Sequence, residues 1–578
     1  MSLHQFSSST PDVVDRLMIG DLNGASLLLG LTVDEVRRKE KELHLKIRRQ
    51  ERRAIKTSDA RKIKQDILSI FIEEACSPLT KSLFMTLTPS MDRSELTFRF
   101  DSYVEGRMLY ELIKESGELE DIRKNLREFY FEYTDDKGVH SPIVKYMLAR
   151  RRILRVIDVL SSYHSIKDVA DFKLAKSVTS ILMELEKLEL KDISSAIFDA
   201  ELLINDEIKK QKRLDEARLR SIIEDTISRL SGELQMNAEE ETMLRSAAFG
   251  SFSLPFEFDK AAIRKLVSEY SRRQQASYER SIKELEGRLK QSAPQLDEVI
   301  KKFILLDKSL TIAIIAERYG LKVPVLGNDG IGFINGKNFF LLKDSLSDNK
   351  KEVQAITYSI GKTKMLKMTQ SRNVVMLTGA NSGGKTTLLT TVATIHIMCL
   401  LGFPVPCERA EVTPMPIYLF RRRVTKKIGS LEHALRSLIP VFSDSRRKIV
   451  LMDEFEALTE PGAAGKILAT IINKAVTSSS IVLLVTHLAK ETLPYVKLPI
   501  RVDGIEAKGL DSKGELLVDR QPIFNHIGSS TPKLVIMKLS KTTRNKKVRL
   551  LYEELLASLG EDKASLQAPI SFPWLEEH

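Results

Sequence analysis

Three separated groups of residues in this 578-residue chain have the types and spacing to act together on a phosphate ester. The first lies in Val374 to Thr387, V-V-M-L-T-G-A-N-S-G-G-K-T-T, where Gly379, Gly384, Lys385 and Thr386 fit G-x-x-x-x-G-K-[ST]. In such a loop the backbone N–H groups and the N-terminus of the following helix surround a phosphate, and glycines let the backbone come close. Gly379, Ala380, Asn381, Ser382, Gly383, Gly384, Lys385, Thr386 and Thr387 are therefore the candidate cradle. Lys385 would reach the β- and γ-phosphates of ATP, and the Thr386 hydroxyl would ligate Mg2+. The second group is Asp453-Glu454. An aspartate there completes the magnesium shell, and the adjacent glutamate is placed to polarise an attacking water as general base. The third is Thr486-His487, whose imidazole would hydrogen-bond the γ-phosphate and report its presence.

Each group follows an apolar run with the length and composition of a buried strand: Val374 to Leu377, Ile449 to Met452 and Ile481 to Val485. An apolar helix begins at Leu388. The order and spacing of the three motifs match the ABC class of ATPases, in which two nucleotide domains face each other and share ATP. Helicase or kinase motifs are not found.

The whole chain is long enough for three or four domains. Its net charge of +12 suits a polyanionic partner, while the 6% aromatic content argues against extensive base-stacking platforms. Cys76, Cys399 and Cys407 form no metal or disulfide framework. No apolar run reaches 18 residues and no signal-peptide core is present, so the expectation is a cytoplasmic protein without membrane contact.

Five segments are expected. Residues 1–75 read as a basic helical region. Within it Arg48, Arg49, Arg52 and Arg53 either grip nucleic-acid phosphates or form a solvated face partly neutralised by Glu35, Glu40, Glu42 and Glu51. Residues 76–150 read as a small mixed α/β connector, with an alternating strand at Leu96 to Phe100. Residues 151–320 read as a helical lever carrying an antiparallel coiled-coil clamp at about 195–300. A helix from about 195 to 232 would extend roughly 55 Å. On this arm Lys209, Lys210 and Arg245 are phosphate-contact candidates, although each taken singly reads as a solvated charge. Residues 321–540 form the nucleotide domain, and 541–578 a basic C-terminal helix and tail. Tyr358, just ahead of the first motif, is a candidate for stacking on adenine.

The motif T-G-A-N-S-G-G-K-T-T, with its Asn381, resembles the phosphate loop of the MutS family of ATPases. Gly402-Phe-Pro-Val-Pro406, the D-E and T-H pairs, and the run from Asp307 to Pro324 are similar to that family as well. The resemblance covers about 300–530 closely and 150–300 in architecture. It implies an α/β P-loop domain of ABC type joined to a long all-α lever and clamp, with a small N-terminal helical or mixed region. It also implies ATP and Mg2+ as cofactors, a homodimer, and double-stranded, branched, recombining or mismatched DNA as ligand, with ATP turnover switching the grip. A MutL-like partner is a further possibility of the family. Ser430, in Gly429-Ser-Leu-Glu-His433, is most like the signature that meets a partner's nucleotide. The segment after Glu454 departs from the family's glycine-rich pattern, with Glu456, Ala457 and Leu458 where G-x-G is usual. The chain resembles a short, archaeal-type homologue lacking the mismatch-reading domain and a C-terminal nuclease domain. Two alternatives stand beside this: a ribosome- or RNA-associated MutS-like ATPase, and an SMC-like structural ATPase, against which the late position of the loop argues.

Overall fold

A computed structural model of the chain describes residues 33–131, 142–186, 192–211, 215–250, 255–348, 352–365, 371–379, 384–421, 430–454, 461–477, 480–497, 499–510, 516–528, 532–543 and 545–558. It divides into two units. One comprises residues 1–130, 163–169 and 302–578; the other comprises 131–162 and 170–301. Residues expected to form a separate N-terminal region thus belong to the same unit as the nucleotide motifs. The principal helices are α1 (Val33–Ala54), α2 (Ser58–Glu74), α3 (Arg93–Glu115), α4 (Ile193–Lys210), α5 (Glu216–Leu234), α6 (Ala238–Phe249), α7 (Lys260–Tyr319) and α8 (Lys385–Leu401).

In the first unit, strands β1 (Val325–Leu326), β2 (Asp329–Gly336), β3 (Ile356–Lys362) and β5 (Arg409–Val412) make a mixed sheet ordered β1-β5-β2-β3. Strands β4 (Val374–Gly379), β6 (Ile417–Phe420), β7 (Ile449–Asp453), β8 (Ile481–Val485) and β9 (Arg501–Ile505) make a parallel sheet ordered β6-β7-β8-β4-β9. Strands β10 (Ala507–Leu510) and β11 (Leu516–Val518) pair antiparallel. The three apolar runs preceding the motifs are β4, β7 and β8, buried at every residue. Near-continuous apolar character is what burial on both faces of a parallel sheet demands.

Helix α8 follows the same logic. Its run K-T-T-L-L-T-T-V-A-T-I-H-I-M-C-L-L is buried almost throughout, so one sheet face cannot cover it. The missing cover comes from the start of the chain. Ile63, Ile67 and Phe71 of α2 and Leu96, Phe100 and Tyr103 of α3 share one core with Val392, Ile395 and Cys399 of α8. Phe71 stacks on Phe403 with ring centres 4.2 Å apart. The C-terminal carbonyls of α8 are also taken: Ser90 N–H donates to Leu400 at 2.7 Å, and Arg99 Nη1 donates to Leu401 at 3.1 Å. Arg99 is itself held by Glu95 at 2.7 Å. A cation at this end is favoured by the helix dipole. Beside β6, Ile55 bridges to Ile417, and Thr57 and Asp59 accept the Leu419 and Arg421 N–H groups. That blunts a sheet edge.

Three expectations are corrected. Leu96 to Phe100 is helical, because Leu96, Phe100, Tyr103, Gly106, Tyr110 and Ile113 bury one face of α3 at helical spacing. The single helix over 195–232 is two, α4 and α5, and Asp215 caps the second through the Arg218 N–H at 2.7 Å. The clamp expected as two antiparallel helices over about 195–300 also holds a third short helix, α6, opened by an Asn237–Glu240 capping box. Helices α4, α5, α6 and the start of α7 pack around Ile204, Ile223, Leu244, Leu266 and Tyr270. This is a small multi-helix core in place of a two-helix coiled coil.

Candidate active site

Parallel strands all end on the same edge of their sheet, so chemistry placed after different strands converges there. Register makes this concrete. Leu377 of β4 lies beside Val485 of β8, and Val485 lies beside Asp453 of β7. The three motifs therefore leave the sheet within about one residue of each other in height.

Gly379 ends β4 at φ +114°, and a Cβ there would lie 2.0 Å from the Ile505 carbonyl oxygen. Only glycine allows β9 to pass so close. Gly384 (φ +92°) turns the chain into α8. Lys385, the first residue of α8, is buried, and its Nζ donates to the Gly379 carbonyl at 2.7 Å. The next residue, Thr386, donates from Oγ1 to the Asp453 carboxylate, at 3.2 Å to Oδ1 and 3.0 Å to Oδ2. A hydroxyl and a carboxylate brought together from residues 386 and 453 are hard oxygen donors of the kind that suit magnesium.

Glu454 has the left-handed φ of +43°, uncommon outside glycine, and its N–H donates to the Val485 carbonyl at 3.0 Å. This turn aims its side chain across to β8, where Glu454 Oε1 and His487 Nε2 lie 3.1 Å apart. An ionised carboxylate only accepts, so this bond requires the proton on Nε2. Thr486 braces the same corner: its N–H donates to Leu377 at 3.1 Å, and its Oγ1 accepts from Leu488 N–H at 3.0 Å. Lys385, Thr386, Asp453, Glu454 and His487 are thus brought to one edge.

Further contacts, most of them from residues outside the three motifs, complete the corner. Thr378 Oγ1 donates to the Asp503 carbonyl at 3.1 Å and accepts from Gly528 N–H at 2.8 Å. A Cβ on Gly528 would meet Gly379 Cα at 2.8 Å, so 528 is pressed against the start of the phosphate motif. Beneath this crossing Arg501, Asp503 and Tyr358 are fully buried together. Tyr358 Oη donates to Asp503 at 2.8 Å, and Arg501 Nη2 lies 2.9 Å from the same carboxylate. Burial raises the Tyr358 hydroxyl well above its usual range. Tyr358 is therefore a core residue and not an adenine platform; its ring stacks on Phe524.

Ala380, Asn381, Ser382 and Gly383 lie outside the described residues, as does the Ser430 side chain at the head of helix Ser430–Ser443. Thr387, half-buried, lies in the first turn of α8. The DNA-contact candidates scatter. Arg48, Arg49, Arg52 and Arg53 are exposed on α1. Lys209 and Lys210 pair within α4 with Asp206 at 3.6 Å and Glu207 at 2.8 Å. Arg245 is engaged by Glu241 at 2.7 Å and by Glu224.

No protein-family model matches the chain. Among curated proteins, it is 40% identical over 234 residues to the DNA-binding protein MutS2 of Pyrococcus furiosus, 39% of each chain. It is 22% identical over 280 residues to the Endonuclease MutS2 of Clostridium botulinum, covering 45% of this chain and 33% of that one. A third match, to the Endonuclease MutS2 of Caldanaerobacter subterraneus, is 21% identical over 439 residues, 68% of this chain and 51% of that one. These similarities support the MutS family. The matches span between a third and a half of the relatives' own lengths. Among the described residues no helix is long and apolar enough to cross a membrane.

Proposed function

We propose that this chain is a MutS-family ATPase that binds DNA as a homodimer and uses ATP binding and hydrolysis to change its grip. The observation that carries the reading is the meeting of Lys385, the Thr386–Asp453 pair and the Glu454–His487 pair at one edge of the parallel sheet. Thr386 and Asp453 would hold Mg2+, which supplies charge neutralisation at the β- and γ-phosphates. Among the described residues no cluster of three His, Cys, Asp or Glu side chains could hold a metal by itself. On this reading the Thr386 hydroxyl and the Asp453 carboxylate are the groups that would hold the ion.

The ammonium of Lys385 would exchange its bond to the Gly379 carbonyl for phosphate oxygens. Glu454 is the general base, accepting a proton from the attacking water, and His487 fixes its carboxylate by the bond at 3.1 Å. The positive surface for DNA is carried by Arg48, Arg49, Arg52 and Arg53 on α1, acting on backbone phosphates without reading bases. Branched, recombining or mismatched duplex is the ligand class.

Glu454→Gln tests the chemistry. It is expected to hold ATP and to turn over at least a hundredfold more slowly; normal hydrolysis would remove Glu454 as base. A gel shift on four-way junction, mismatched duplex, perfect duplex and structured RNA, with and without ATP, tests the ligand. Tightest binding to RNA would overturn the DNA assignment.

A further inference from the structure

Residues 519–521 are strapped onto the approach to β3 by side chains. Gln354 Nε2 donates to Asp519 Oδ1 at 3.0 Å, and Gln354 Oε1 accepts the Arg520 N–H at 3.3 Å. Gln521 binds the Thr357 backbone twice, accepting its N–H at 2.9 Å and donating to its carbonyl at 2.8 Å. Asp519 Oδ1 also accepts the Gln521 N–H at 3.1 Å. With both neighbours fixed, the side chain of Arg520 has one way to go. It lies over Gly384: a Cβ built on that glycine would meet Arg520 Cγ and Cδ at 3.6 Å. Gly384 is the residue that opens α8, immediately before Lys385. The stem of Arg520 thus lies beside the mouth of the helix, at the distance a side chain on residue 384 would touch, while the residue as a whole is exposed. Among the described residues no carboxylate pairs with its guanidinium.

We infer that Arg520 is a positioning residue for the nucleotide, its guanidinium contacting the phosphate chain from the side of Gly384. The inference rests on the reading of Gly384 to Thr386 as a phosphate site. Its chemistry is complementary to what is already there. Lys385 is a buried point charge facing the Gly379 carbonyl, and the N-terminal N–H groups of α8 supply directed but partial charge. A guanidinium adds a planar fork of donors that two phosphate oxygens can accept at once. The strap fixes the backbone that carries it, so binding has only the freedom of the side chain itself to remove. No sequence motif marks it, because it lies more than 130 residues after Gly384 and reaches the site only through the Gln354 and Gln521 bonds.

The test is titration of the full chain with fluorescent ATP and ADP analogues in the presence of Mg2+, comparing the native protein with Arg520→Ala, Arg520→Lys and Lys385→Ala. Arg520 is exposed, so unchanged thermal unfolding is expected for both of its variants. Arg520→Ala is expected to weaken ATP and ADP alike by roughly tenfold, the size of one charged hydrogen bond. Arg520→Lys should recover part of that affinity. Unchanged affinity in Arg520→Ala overturns the inference. So does an Arg520→Lys as weak as the alanine variant whose loss differs between ATP and GTP, since that pattern belongs to stacking on the base. Lys385→Ala separates the two levels: if it too binds nucleotide normally, the phosphate site itself is wrong, whereas its failure beside a fully active Arg520→Ala removes only the role of Arg520.

Discussion

The carboxyl edge of the five-stranded sheet and the helical unit of residues 131–162 and 170–301 are both rich in charge, yet they hold it in opposite ways. At the sheet edge Lys385 and Asp453 are buried, and the Thr386–Asp453 and Glu454–His487 pairs join residues remote in the chain. Lys385 and Asp453 are 3% and 5% exposed, and Thr386 meets Asp453 across 67 positions. In the helical unit most pairs are three or four residues apart and open to water, as with Lys210–Glu207, Arg220–Glu216 and Arg272–Glu269. Arg150, 1% exposed against Asp297 and the ring of Tyr146, is an exception that shows the rule. Remote buried pairs form only when the fold is correct, so they define a site. Local exposed pairs form whenever the helix does, and they define a surface.

That contrast breaks most visibly at Gly379. Gly379→Ala would put a Cβ 2.0 Å from the Ile505 carbonyl at a φ of +114°, forcing β4 and β9 apart. A loss on the order of 4 kcal/mol is expected, read as a fall in thermal midpoint. A wild-type midpoint would mean the strand crossing gives way freely. Gly384→Ala sharpens the point, because the nearest atoms stand at 3.6 Å and only the φ of +92° resists. About 1–2 kcal/mol is expected there.

Acid should find the buried side next. His396, inside α8, donates from Nε2 to the Met415 carbonyl at 2.8 Å, and burial depresses its pKa from 6.5 to about 4. A base whose folded pKa is lowered favours the folded state above its unfolded value. That stability is lost as pH falls from about 6.5 towards 4, amounting to about 3 kcal/mol for this one group. Denaturant titrations at pH 7 and pH 4 should show the loss, and His396→Leu should flatten the slope in that window. An unchanged slope would mean that other groups dominate the acid limb.

The smallest effects belong to the helical unit. Arg245→Ala removes half-buried pairs with Glu224 and Glu241 and should cost about 1 kcal/mol, leaving DNA affinity within roughly twofold. Arg52→Ala with Arg53→Ala on α1 should instead lower the slope of log affinity against log salt by about 2. A tenfold loss of DNA affinity in Arg245→Ala would show that this arginine leaves its glutamates for phosphate.

The site was legible because each motif follows an apolar run too short and too continuous for anything except a buried strand, and parallel pairing then brings the ends together. Gly528 and Arg520 were not, since each lies outside every motif and meets the site only through residues far away in the chain. Within the helices, the five residues Leu96 to Phe100 alternate by accident; the window to Ile113 carries the true period. The break between α4 and α5 falls among Lys, Gln, Arg, Leu and Asp, with no glycine or proline to mark it. The place of α2 and α3 was written only indirectly, in the apolar character of α8 on all its faces.

That last feature has a consequence for how the protein is made. The helices that cover α8 leave the ribosome about 270 residues before it does, counting from Glu115 to Lys385. At cellular rates of synthesis the delay is on the order of half a minute. Until α8 follows, Ile63, Ile67, Phe71 and Phe100 lack Val392, Ile395 and Cys399, with which they share one core. The apolar faces of α2 and α3 are therefore incompletely covered during synthesis, and the yield in a cell depends on what shelters them until α8 arrives.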